Sequence, residues 1–123
     1  MISFSAVRRI FVARAITDMR RGIDTLSSMV TAQLGQDPLS GDCFIFFGRD
    51  RRRLKALVWE SGGYWLCLKR LEAGTFPLPV GWGEEVGQPA SVVMSPAQVH
   101  ALLEGIEVRA SRQRKRWKPV ASS

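Results

Sequence analysis

Apolar residues along the first third of the chain change period twice. Ile10-Phe11-Val12-Ala13 is a short unbroken β-prone run. Met19, Ile23, Leu26, Met29, Val30 and Leu34 then recur at spacings of three and four, the signature of one helical face. With Thr17 as N-cap and Asp18 in an acidic first turn, this spacing predicts a helix over about residues 18–34, stopped by Gly35. The turn formers of Asp37-Pro38-Leu39-Ser40-Gly41-Asp42 follow. Three strand-like runs come next: Cys43 to Phe47, Leu54 to Trp59 and Tyr64 to Leu71. Their separators, one rich in Arg and Asp and the other Ser61-Gly62-Gly63, read as tight antiparallel connections. Gly and Pro at 74, 77, 79, 81, 83, 87 and 89 predict an extended loop or irregular edge over residues 74–90. After Ser91-Val92-Val93-Met94, Ser95 can cap a second helix with Pro96 at its first position and Val99, Leu102, Leu103 and Ile106 as its stripe. The expected fold class is α+β: a small antiparallel β-meander with an N-terminal and a C-terminal helix packed on one face.

Length and composition bound this picture. A chain of 123 residues, 46% hydrophobic, suits one core, and a single domain is expected over residues 1–108. No apolar run approaches the roughly 18 to 20 residues that cross a bilayer. The N-terminal segment also lacks a small-residue cleavage pattern, so a cytoplasmic protein without a membrane partner is expected. Cys43 and Cys67 each sit inside an apolar run and read as reduced, buried thiols. With His100 as the only histidine and no paired Cys spacing, no metal site is expected, and His100 falls on the same partly exposed helix face as Glu104.

The net charge of +7 is unevenly placed. All 11 Asp and Glu and 12 of the 18 Lys and Arg lie in residues 1–108, leaving Arg109, Arg112, Arg114, Lys115, Arg116 and Lys118 to carry the excess. Residues 109–123 therefore read as a basic tail, disordered alone, that attracts a polyanion through counterion release. Trp117 among these cations could stack on a base or anchor the tail to the body. A second basic run, Arg49-Asp50-Arg51-Arg52-Arg53-Leu54-Lys55, sets five cations against one anion in the turn between two predicted strands. Arginine forks there suit phosphate and guanine alike, although a solvated turn needs the same composition. Lys69 and Arg70 either extend that patch or pair with Glu72 or Glu60. Trp59, Tyr64 and Trp65 read as core or cross-strand packing rather than a base-stacking platform.

Catalysis finds little purchase. Asp18, Asp24, Glu60 and Glu72 are the carboxylates a two-metal site would need, but nothing in their spacing selects them. There is no Gly-x-x-x-x-Gly-Lys phosphate loop, and no cofactor is expected.

Several blocks carry a resemblance when read in order. Thr17-Asp18-Met19-Arg20-Arg21-Gly22, Phe44 to Arg49, Leu54 to Trp59, Leu66 to Phe76 and Leu102-Leu103-Glu104-Gly105-Ile106 together resemble the accessory protein family of insertion sequences of the sixty-six type, over residues 7–107. Trp59-Glu60 stands where the family tends to show Trp-Asp, and Leu78 where it tends to show an aromatic. The resemblance implies a bacterial protein with no well-defined chemistry of its own, encoded beside a separate catalytic transposase and needed for efficient DNA transposition; it is not expected to be an enzyme. The expected partners are double-stranded DNA at the element ends, bound through Arg49, Arg51, Arg52, Arg53, Lys55, Lys69, Arg70, Arg112, Arg114, Lys115, Arg116 and Lys118, and the transposase itself. The alternative is a transposase adaptor that does not touch DNA. The role of the Asp18-Met19-Arg20 block and the oligomeric state, homo-oligomer included, stay open.

Overall fold

Ile10 to Ala13 form strand β1, and all four residues are buried although they point alternately to opposite sides. The same holds for β2, Cys43–Phe47, where five consecutive apolar residues are all buried. Strands apolar at every position must be covered on both faces, and this pair lies at the centre of a five-stranded sheet. The computed structural model describes residues 7–77 and 87–104. The remaining strands are β3 (Arg53–Glu60), β4 (Gly63–Arg70) and β5 (Ser91–Met94); the helices are α1 (Ile23–Ala32) and α2 (Pro96–Leu103).

The strand order is β4-β3-β2-β1-β5. β1 and β2 run parallel, with Ile10 opposite Cys43, while every other neighbouring pair is antiparallel. The α+β class is as expected. The sheet is mixed, however, and only β2-β3-β4 follow the consecutive antiparallel path of a meander. A parallel pair needs a long crossover, which α1 supplies.

Nor do both helices pack on one face. Leu26 and Val30 of α1 bury with Phe11, Ala13, Phe44, Phe46 and Leu57. Val99 and Leu102 of α2 bury on the other side with Ile10, Val12, Cys43, Ile45, Phe47, Leu54, Ala56, Val58, Phe76 and Met94. The physical reason is the same unbroken apolar run of β1 and β2: one helix can cover only half of it. Phe11 stacks on Phe44 on the α1 side at 5.5 Å, and Phe47 meets Phe76 edge-on on the α2 side at 5.6 Å.

α1 begins at Ile23 rather than 18. Asp18 captures the Arg20 backbone N–H at 2.9 Å with its own carboxylate, and the Arg21 N–H returns to the Asp18 carbonyl at 3.1 Å. This local turn competes with the helix, so residues 18–21 stay outside it and Gly22 becomes an N-cap without a side-chain acceptor. At the other end Gly35 turns left-handed (φ 64°), and the Gln36 N–H reaches the Val30 carbonyl at 3.0 Å. The β3–β4 hairpin turns on Ser61 and Gly62 with φ of 49° and 86°, a type I′ geometry. The cap of α2 is the expected one: Ser95 Oγ accepts from the Gln98 N–H at 3.2 Å, and Gln98 Oε1 accepts from the Ser95 N–H at 2.9 Å.

Both cysteines are free thiols, but only Cys43 is fully buried; Cys67 is half-buried. Burial pushes the Cys43 thiol up to about 12. Asp42, buried beside it, accepts from Arg9 at 3.0 Å and Ser40 at 2.9 Å. His100 is exposed on α2 as expected. Of the irregular stretch 74–90, residues 78–86 lie outside the described residues, as does the tail 109–123.

Candidate nucleic-acid interface

Parallel pairing of β1 and β2 has a consequence for position: their C-terminal ends lie at the same end of the sheet. The β1–α1 connection, residues 14–22, therefore runs beside the β2–β3 turn, residues 48–52. The Thr17 N–H donates to the Phe47 carbonyl at 2.8 Å, and Lys55 Nζ donates to the Arg21 carbonyl at 2.7 Å. Gly48 lies directly under Met19: a Cβ built on it would come within 2.7 Å of Met19 Cγ. Two segments, 26 or more positions apart in the chain, thus form one basic end.

The turn is held from within and from behind. The Arg51 N–H donates to the Gly48 carbonyl at 3.0 Å, with Arg51 left-handed (φ 55°), and Asp50 accepts from the Arg52 N–H at 3.0 Å. The chain leaving β4 then folds back along the tip. The Leu71 N–H reaches the Arg52 carbonyl and the Phe76 N–H the Arg51 carbonyl, each at 2.7 Å, and Phe76 is anchored in the α2-side core.

Two clefts open at this end. One, about 430 Å³, is lined by Ile16, Thr17, Asp18, Met19, Arg20, Arg21, Arg49 and Arg53. The other, about 330 Å³, lies between Asp50, Arg52, Arg53, Arg70, Leu71 and Glu72. Arg53 borders both, so the two form a continuous surface.

Eight cations (Arg20, Arg21, Arg49, Arg51, Arg52, Arg53, Lys55 and Arg70) share this end with three carboxylates, and each carboxylate is spoken for. Asp18 pairs with Arg20 at 2.8 Å, Asp50 with Arg53 at 3.2 Å and Glu72 with Arg70 at 2.9 Å. Hydrogen bonds from Arg20 hold the Asp18 carboxyl well below the usual carboxylate range, while Asp18 raises Arg20. The Arg52 backbone N–H lowers Asp50, and Glu72 raises Arg70. Arg52 also donates weakly to the Glu72 carbonyl at 3.4 Å. Arg21, Arg49 and Arg51 have no carboxylate partner among the described residues. Arg52 and Lys55 likewise have no carboxylate ion pair among the described residues, their side chains donating only to backbone carbonyls, so all five can turn to an outside anion.

The predicted cluster is therefore brought together in part. Arg49, Arg51, Arg52, Arg53 and Lys55 do share one end of the sheet. Arg70 joins them on the α1 side, though paired with Glu72, whereas Lys69 sits opposite Leu54 and projects from the α2 side. Neighbouring residues on a strand point to opposite faces, so only one of the two can extend the patch. Arg112, Arg114, Lys115, Arg116 and Lys118 lie outside the described residues. Arg20 and Arg21, in the block whose role the sequence left open, also reach this end, because residues 18–21 stay outside α1. Trp59 and Tyr64 make the expected cross-strand pair at 4.9 Å, but Trp65 is 46% exposed and donates to Glu60 at 3.3 Å. Among the described residues no three of His, Cys, Asp and Glu converge on a point that could hold a metal, and no helix is long and apolar enough to cross a membrane.

The model of the IS66 Orf2-like proteins matches residues 8–113. The chain is 37% identical over 113 residues to the uncharacterized protein y4hO of Sinorhizobium fredii, an alignment covering 91% of this chain and 90% of that one. It is 34% identical over 107 residues to y4jC of the same organism, covering 87% and 86%. No solved structure matches it at a significant level. The chain belongs to the IS66 Orf2-like family, a family of transposition-associated accessory proteins.

Proposed function

We propose that this IS66 Orf2-like protein binds duplex DNA through the basic end of its sheet, and so helps a separate transposase act at the ends of the element without cutting DNA itself. The supporting observation is that Arg21 and Arg49, which have no ion pair among the described residues, come from two distant segments to line one cleft beside the Asp18–Arg20 and Asp50–Arg53 pairs, with Arg51 in the adjoining turn. Pre-paired Arg20, Arg53 and Arg70 shape the surface; the open arginines meet phosphate. Guanidinium groups placed this way take backbone phosphates bidentately and carry little base information. Arg52 and Lys55 complete the patch, and Arg112, Arg114, Lys115, Arg116 and Lys118 add phosphate contacts that raise affinity more than specificity.

The test is equilibrium binding to a labelled duplex across a salt series, with terminal-repeat and scrambled DNA. The full chain is compared with a version ending at Val108 and with the triple variant Arg21→Gln, Arg49→Gln, Arg51→Gln. The triple variant should lose up to about 0.9 of salt slope per phosphate contact removed, and truncation should lower the slope independently. Absence of duplex binding at low salt would sink the proposal and leave a transposase adaptor in its place.

A further inference from the structure

The two edges of the sheet are unequal. β5 is a four-residue edge, whereas β4 runs for eight residues and pairs only with β3 among the described residues. A long edge strand leaves a row of backbone donors and acceptors free, and proteins usually blunt such an edge with charge, proline or a bulge. β4 carries no proline, and its charges, Lys69 and Arg70, stand only at its end. Its middle is apolar and includes two of the exposed large hydrophobic residues, Trp65 at 46% and Leu68 at 59%.

Hairpin geometry says which backbone groups face outward. In a two-residue I′ hairpin the flanking pair, here Glu60 and Gly63, exchanges both hydrogen bonds. Trp65, Cys67 and Lys69 then also bond toward β3, and Tyr64, Leu66 and Leu68 turn their N–H and C=O away from the sheet. From these observations we propose that β4 pairs antiparallel with β4 of a second copy of this chain, with Leu66 facing its own counterpart.

That register matches side chains as well as backbone. Leu68 lies opposite Tyr64 of the partner, and Trp65 opposite Cys67, so both exposed apolar side chains gain cross-strand neighbours. Lys69 lies opposite Gly63, which has no side chain to block it. It can reach across to Glu60, the β3 neighbour of Gly63 on the same α2-side face, two strand spacings or about 10 Å away between backbones. Lys69 has no ion-pair partner among the described residues within its own chain. A single strand pair buries less than the roughly 1,200 Å² of a stable interface, so the dimer is weak, with dissociation in the micromolar range. The two-fold axis stands perpendicular to the joined sheet and keeps both α1-side faces on one side. The two Arg70 positions then lie about 26 Å apart along the strands.

Sedimentation velocity of the full chain under reducing conditions, over a concentration series without DNA, tests this independently of the DNA reading. The expected result is reversible monomer–dimer exchange. Lys69→Glu and Leu68→Lys should each weaken it roughly five- to tenfold, and Lys69→Glu combined with Glu60→Lys should recover most of the first loss. Hydrogen exchange on the unaltered chain gives a second readout: the Tyr64, Leu66 and Leu68 amides should gain protection as concentration rises, while those of Trp65, Cys67 and Lys69 are protected throughout. A monomer at every concentration overturns the proposal. So does a dimer that both single variants leave intact while the Tyr64, Leu66 and Leu68 amides stay unprotected.

Discussion

Adding one methyl group at Gly48 tests how the two halves of the basic end are joined. The backbone there does not need a left-handed φ, so alanine is conformationally allowed, and the cost is steric. A Cβ would stand 2.7 Å from Met19 Cγ, 3.4 Å from an Asp50 carboxylate oxygen and 3.5 Å from the Arg53 carbonyl. Carbon pairs settle near 3.5 to 4.0 Å, so Met19 must withdraw by about 1 Å. Overpacking of this kind costs roughly 1 to 3 kcal/mol, and the stiffer unfolded chain returns about 0.4 to 1. The net expectation is a loss of about 1 to 2 kcal/mol, a fall in Tm of roughly 3 to 10 °C for a chain of this size.

Thermal unfolding of Gly48→Ala, Met19→Ala and the double variant separates this clash from any general sensitivity of the turn. Removing the Met19 side chain beyond Cβ makes room for the new methyl group. The double variant should therefore be about as stable as Met19→Ala alone, with a coupling of about 1 to 2 kcal/mol. Strictly additive losses, or an unchanged Tm in Gly48→Ala, would refute the close approach of the 17–21 segment to the hairpin, and with it the geometry of the larger cleft.

Other consequences follow from single contacts. Asp18→Asn keeps the acceptor for the Arg20 N–H but releases the guanidinium, so duplex affinity should rise and the salt slope steepen by up to about 0.9; weaker binding would mean that Asp18 is needed to orient Arg20. Ser95→Ala removes the reciprocal cap of α2 and should cost about 1 kcal/mol in chemical denaturation; no loss would show that tertiary packing alone starts this helix. In the native protein a thiol reagent should label Cys67 before Cys43. The Cys43 thiol is raised in the folded state, so its contribution to stability is complete below its ordinary value near 9 and is lost as pH climbs from there toward about 12, by about 1.4 kcal/mol per unit. Cys43→Ala should flatten that alkaline decline, and an unchanged profile would assign the decline to other groups.

Local chemistry made several elements readable from the residues alone. β2 and β5 have the expected bounds, and α2 starts at the expected cap, because an apolar run between turn formers and a Ser-Pro start each have few alternatives. The N-terminal half was less legible. Met19 keeps the helical spacing of Ile23 and Leu26 but lies in the turn before α1, where the Asp18 carboxylate outcompetes the helix for the Arg20 N–H. Periodicity cannot register such a competition, since it counts side chains and not backbone bonds. The unbroken apolar runs of β1 and β2 did carry a signal for burial on both faces, which a one-faced packing cannot satisfy.

That missed signal also hid half of the candidate site. If β1 had met β2 antiparallel, its C-terminal end, and Arg20 and Arg21 with it, would lie at the end of the sheet away from Arg49 to Arg53. Parallel pairing reverses this and sets the β1–α1 connection against the β2–β3 turn. Strand C-termini meeting at one end recur as ligand sites in parallel sheets for the same geometric reason. Here one parallel pair suffices, because antiparallel β3 begins at that end and brings Arg53 and Lys55, and β4 ends there and brings Arg70. The basic end is thus a product of topology acting on scattered arginines. A substitution that disturbs the β1–β2 core should therefore weaken DNA binding even where it changes no charge.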